Sequence, residues 1–146
     1  MLPIDLDHLD LQMNRTAGGP IRVTFPFHSA TGTASSAAVL FELDAGDELA
    51  THTDSAEETL LVLRGEAEAR VGDDLFALRP AEVVVIPAMV PHSVLNTGDA
   101  TLRVIGFFSA ATVVTTFDEA LSSGGERVMV IGAPLPIAAR LEASAA

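Results

Sequence analysis

Gly46-Asp47-Glu48-Leu49-Ala50-Thr51-His52-Thr53-Asp54-Ser55-Ala56-Glu57-Glu58-Thr59-Leu60-Leu61-Val62-Leu63-Arg64-Gly65 is the stretch on which the reading of this chain turns. One residue separates His52 from Asp54, and residues two apart in a strand project to the same face, so both side chains can point into one interior. Glu58 opens an apolar run and shares its face with Leu60 and Val62. Its neighbour Glu57 faces the other way and reads as a solvated charge.

Downstream, Glu66-Ala67-Glu68-Ala69-Arg70-Val71 alternates strictly, with charges toward water and small apolar residues inward. Gly72-Asp73-Asp74 turns the chain back into Leu75 to Leu78, a hairpin by its turn chemistry. Val83 to Ile86 reads as a buried strand, His92 to Leu95 as another, Asn96-Thr97-Gly98-Asp99 as a turn and Thr101 to Phe108 as a further strand. Upstream, Ile21 to Phe27 and Ala37 to Leu43 have strand composition. Residues 1–19 read as an arm or short helix, set off by the breaker cluster Ala17-Gly18-Gly19-Pro20. Past Ser109, Thr112 to Phe117 and Arg127 to Ile131 are strand-like, Asp118 to Ser122 suits one helical turn capped by Gly124-Gly125, and residues 137–146 suit a short helical or frayed tail. Many short strands with turns between them, in a chain of 146 residues, predict one all-β domain, a sandwich or barrel.

Composition narrows the chemistry. Hydrophobic residues make up 49% but aromatic ones 5%, with no Trp or Tyr, so the core is built mainly of Val, Leu, Ile and Ala. The net charge of -12, with eight Lys and Arg together, disfavours nucleic acid and anionic membranes as partners. With no Cys, any metal must be held by His, Asp or Glu. No leader pattern opens the chain and no apolar run has the length of a membrane span, so the expectation is a soluble, cytoplasmic protein. A mean hydropathy of +0.39 is high for a monomer and points to a homodimer, with Thr112 to Phe117 as a strand in need of an apolar partner.

His92, at the start of its own strand, can join His52, Asp54 and Glu58 from a neighbouring strand. Two imidazoles and two carboxylates inside an apolar barrel are costly unless something neutralises them, and a divalent cation would do so. The order Gly46, His52, Asp54, Glu58, Gly65 resembles the first cupin motif, G-x5-H-x-H-x3,4-E-x6-G, with Asp54 at the second His position. The order Ala81, Pro87, Met89, His92, Asn96 resembles the second, G-x5-P-x-G-x2-H-x3-N, with both glycines replaced. The resemblance implies a cupin double-stranded β-helix, or jelly-roll barrel, over residues 20–110, with the arm at 1–19 and C-terminal strands and tail at 111–146 packing on the barrel or on a dimer partner. It also implies metal ligation by three His and one Glu. Here His52, Glu58 and His92 keep their types, a two-His, one-carboxylate set suited to Fe, Mn, Zn or Ni.

Asp54 departs from that pattern, and stands either as a fourth ligand or as a catalytic general base. Met89 is expected to mark a different turn, since Gly there serves a positive φ. Asn96 is expected to order the turn that follows it, and His8 and His28 to be ordinary polar residues. Cupins host many chemistries. Two functions follow: a metal-dependent enzyme, oxygenase or isomerase/lyase in type, acting on a small, largely apolar molecule near Leu60, Val62, Val85 and Val94, or a metal-free cupin that binds or senses a small molecule. No Arg cluster points to a sugar phosphate.

Overall fold

In the computed structural model, which describes residues 1–121 and 125–133, the alternating segments become strands of two antiparallel sheets. In chain order they are β1 (Gln12–Thr16), β2 (Gly19–Phe27), β3 (Ala37–Leu43), β4 (Glu48–Asp54), β5 (Glu58–Arg64), β6 (Ala67–Val71), β7 (Asp74–Leu78), β8 (Val83–Ile86), β9 (His92–Asn96), β10 (Leu102–Phe108), β11 (Val113–Phe117) and β12 (Val128–Ile131). One sheet runs β1-β2-β3-β10-β5-β8 and the other β12-β11-β4-β9-β6-β7. This is the all-β jelly roll the sequence predicts. Neither sheet closes on itself, and the described residues contain no α-helix, only 3-10 turns at Leu6–His8 and Ser29–Thr31. None of the described helices could cross a membrane.

Strand alternation builds the core. In β5, Glu58, Leu60 and Val62 are buried while Thr59, Leu61 and Leu63 are only half-buried; in β6, Ala67 and Ala69 are buried between charged neighbours. Facing them, Phe41 and Leu43 of β3, Val94 of β9 and Val104 of β10 complete the main apolar cluster. Each side chain the size of Leu60 contributes about 1.5–3 kcal/mol by leaving water. The Val71↔Asp74 pairing places Gly72 at φ +59 in a tight turn, which glycine adopts without steric cost. Asn96 locks the far end: its Nδ2 donates to Leu43 O (3.0 Å) and Ala100 O (2.9 Å), and its Oδ1 accepts from the Gly98 N–H (3.0 Å).

Several segments differ from the sequence reading. Val83 and Val85 are 57% and 52% exposed, because β8 is the last strand of its sheet and only its Ile86 turns fully inward. β11 finds its apolar partners inside its own chain, between β12 and β4, and Val113, Val114 and Phe117 are buried there. The arm contributes a strand: β1 pairs with β2 across the Ala17-Gly18 turn, so the breaker cluster is a hairpin corner. The Thr16 hydroxyl ties this hairpin to β4 by donating to Glu48 O and accepting from the Ala50 N–H, both at 3.3 Å. Asp118 to Leu121 is irregular instead of helical. Ser122, Gly124 and the tail at 137–146 lie outside the described residues.

Candidate metal centre

His52 and Asp54 both point inward from β4, as their spacing requires, at 5% and 3% exposure. Across the sheet on one side, His52 pairs in register with His92 of β9, beyond a bulge after Leu49, and the two rings stand 4.1 Å apart. On the other side β11 sets Thr115 opposite Asp54 and Phe117 opposite His52. Glu58 reaches the same interior from β5 of the facing sheet. All four groups are thus drawn together from three strands.

The imidazoles are oriented by the backbone. His52 Nδ1 lies 2.7 Å from Ala50 O and His92 Nδ1 lies 2.9 Å from Val90 O. A carbonyl can only accept, so each Nδ1 carries the proton and donates it, leaving Nε2 to face the interior. His92 Nε2 is 3.1 Å from Asp54 Oδ2 and 3.3 Å from Glu58 Oε1, and His52 Nε2 is 3.6 Å from Asp54 Oδ2. Despite this proximity, His92 Nε2 and Asp54 Oδ2 are buried with no hydrogen-bond partner of acceptable geometry. Ligand atoms of His52, Asp54 and His92 all lie within 4.8 Å of one another, a spacing that could hold a metal ion. Glu58 joins this triad through His92, so Asp54, and not Glu58, is the carboxylate set between both histidines.

The electrostatics show four groups sharing too little solvent. Burial, reinforced by nearby His92, pushes His52 down to about 4, so it is neutral. Burial also opposes charge on His92, but the Asp54 and Glu58 carboxylates outweigh it and raise His92 to about 10. Asp54 is held below its ordinary value despite its burial, by His92, His52 and Thr115. Burial, with Asp54 adding to it, raises Glu58 to about 7. Asp54 is thus the carboxyl of the cluster that favours the ionised form, and Glu58 the one that favours the neutral form.

Residues outside the motifs shape the centre. The Thr115 hydroxyl donates to Asp54 Oδ1 at 2.6 Å, which leaves Oδ2 as the oxygen facing the histidines. Gly106 of β10 makes room for Glu58: a Cβ there would overlap Glu58 Oε2 and stand 3.0 Å from the carboxyl carbon. A glycine inside an otherwise apolar strand was the available signal for this close approach. Thr115 had none, because its partner depends on the pairing of β11 with β4. Met89 keeps the positive-φ turn it was expected to change, at φ +65, and Ala81, at the other replaced glycine, has φ +70. The Met89 N–H donates to Asp54 O at 2.8 Å, so the turn is held to β4 at a steric cost of about 1–2 kcal/mol.

A cavity of about 60 Å³ opens on His52, Asp54 and Glu58. Its walls are Phe25, Phe41, Phe108 and Phe117 with Val39, Leu49 and Ile131, while Asn14 and Thr16 of β1 also line it. The expected apolar neighbours are elsewhere: Leu60, Val62 and Val94 belong to the core cluster, and Val85 faces outward from the edge strand. Glu57 is exposed, as its parity requires, and so is His8, which pairs with Asp5.

Comparison with known proteins agrees with this architecture. A family model described as a cupin domain matches residues 39–108. No curated protein sequence matches the chain. Among solved structures, the cupin domain of Schizosaccharomyces pombe Cnp3 superposes with a TM-score of 0.61 at 20% identity, covering 75% of this chain and 74% of that one. A formate complex of Lactobacillus farciminis oxalate decarboxylase gives 0.66 at 20% identity, over 74% of this chain and 33% of that one. A Bacillus subtilis oxalate decarboxylase structure concerned with its Mn(II) centres gives 0.63 at 18% identity, over 77% and 31%. The chain therefore spans about a third of the length of these decarboxylases, and the likeness is one of fold.

Proposed function

We propose, from the cupin-domain family model that matches residues 39–108, that the chain is a metal-dependent cupin acting on a small, largely apolar organic molecule, with dioxygenase-like or isomerase/lyase-like chemistry. His52, Asp54, Glu58 and His92 would hold the ion. The observation that carries this reading is the pair of buried, unpartnered atoms, His92 Nε2 and Asp54 Oδ2, facing His52 Nε2 in an otherwise apolar interior. Orphaned polar atoms cost about 1–3 kcal/mol each, and a cation repays that cost. Two imidazoles with carboxylate oxygens suit Fe, Mn, Zn or Ni, and the Mn(II) centres of the B. subtilis neighbour add weight to manganese. When bound, such an ion would supply Lewis acidity and open positions for a donor atom of the substrate. The protein's own part is to orient the ligands through Ala50 O, Val90 O and Thr115, and to exclude water with the phenylalanine wall.

One observation favours a metal-free binding or sensing cupin: with His92 protonated, the cluster contains its own counter-charge to Asp54 and Glu58. Metal analysis of protein purified without a histidine tag separates the two. The metal reading expects about one divalent transition metal per chain, lost in His92→Ala. Apo protein that shows no thermal shift with Mn, Fe, Ni, Cu or Zn would refute it. The proposal includes a homodimer, supported by the high mean hydropathy and by the exposed apolar edge at Val83 and Val85, and checked by light scattering.

A further inference from the structure

The cavity that meets the metal cluster contains no compensating positive charge. The chain has no Lys, and among the described residues no Arg lines the cavity. Arg22, Arg64 and Arg103 are instead gathered around Glu42, at 3.4, 3.2 and 2.9 Å. The polar groups of the wall are mostly spent as well: Thr16 is bonded to β4, Thr115 to Asp54, and Asn14 Oδ1 accepts from the Arg15 N–H, which leaves the Asn14 Nδ2. Four phenylalanines and aliphatic side chains such as Val39, Leu49 and Ile131 form the rest of the wall.

A divalent ion held by Asp54 and Glu58 forms a formally neutral centre, whereas a centre with one carboxylate ligand retains one positive charge. An anion entering a neutral centre in a phenylalanine-walled cavity gives up its hydration and gains no charge partner. A neutral donor loses far less. We propose that Asp54 is the specificity-determining residue of this site: it selects small uncharged molecules that present one donor atom to the metal and an apolar body to the phenylalanines, and it excludes carboxylates and other anions. The inference rests on the metal reading above, with Asp54 as a ligand.

The test uses Co(II)-loaded full-length protein, whose visible d–d bands report ligand exchange without any turnover. Oxalate, azide and pyridine serve as dianionic, monoanionic and neutral probes, titrated into the wild type, Asp54→Asn and Asp54→His, after thermal melts have shown that each is folded. Oxalate and azide should bind either variant about tenfold or more tightly than the wild type, oxalate gaining more, while pyridine changes by less than about threefold. If one variant fails to fold or to hold cobalt, the other carries the comparison. Equal anion affinity in wild type and variant, with all proteins holding cobalt, overturns the charge selection alone. A wild type that takes up no cobalt overturns the metal reading and this inference together.

Discussion

Metal binding to this cluster should expel protons, in a number that changes with pH in a way its geometry dictates. In the metal-free protein burial and the carboxylates place His92 at about 10 and Glu58 at about 7, while His52, at about 4, has a bare Nε2 near neutrality and the depressed Asp54 is ionised there. To ligate, each imidazole must have a bare Nε2 and each carboxyl must be ionised. At pH 8 His92 is almost fully protonated and Glu58 almost fully ionised, so about one proton should leave per ion bound; at pH 6 Glu58 is mostly protonated as well, and about two should leave. Calorimetric titration with Mn(II) in buffers of different ionisation enthalpy measures this number directly. Manganese is the suitable probe because zinc-bound water itself ionises near neutral pH and would add to the count. Fewer than about half a proton at pH 8, or no increase on going to pH 6, would refute a ligand set containing both His92 and Glu58.

The same groups set the stability of the metal-free protein. His92 is raised above its ordinary 6.5, so its contribution is complete below that pH and is lost as pH rises toward about 10; Glu58, raised from 4.5, has lost its contribution by about pH 7. Urea unfolding should therefore show a loss on the order of 4 kcal/mol between pH 7 and 10 that bound metal abolishes, and a flat metal-free profile would contradict it. Thr115→Val keeps the shape of the side chain but removes the 2.6 Å bond to Asp54, and should weaken metal binding by about tenfold or more, with Thr115→Ser restoring most of it; unchanged affinity in the valine variant would deny Thr115 a positioning role. Met89→Gly relieves the φ of +65 at about 1–2 kcal/mol and forfeits about 0.4–1 kcal/mol of chain entropy, so the melting temperature should rise slightly; a clear fall would show that the Met89 side chain packs usefully.

Strand identity and turn position were legible because they are local. The alternation in Glu66 to Val71, the Gly72 turn, and the run from Leu102 to Phe108 each appear where the spacing of apolar residues places them. The joint spacing of His52, Asp54, Glu58 and His92 likewise predicted inward-facing groups, and all four are buried in one interior. The fate of whole strands was not local. Val83 to Ile86 has the composition of a central strand, yet β8 has a neighbour on one side only, and two of its valines face outward. Val113 to Phe117 looked like a strand lacking a partner until β12 and β4 closed around it.

Local rules therefore decided which residues extend, which face each side chain takes, and that His52 and Asp54 would point the same way. They follow from backbone geometry within a few residues. Tertiary pairing decided the rest: that Asp54 rather than Glu58 stands between the histidines, that Thr115, 61 residues further along the chain, holds its outer oxygen, and that Gly106 clears the space for Glu58. It also walled the cavity with phenylalanines from four strands. No spacing within one segment encodes such contacts, since they arise only when the sheets face each other and each strand acquires its neighbours.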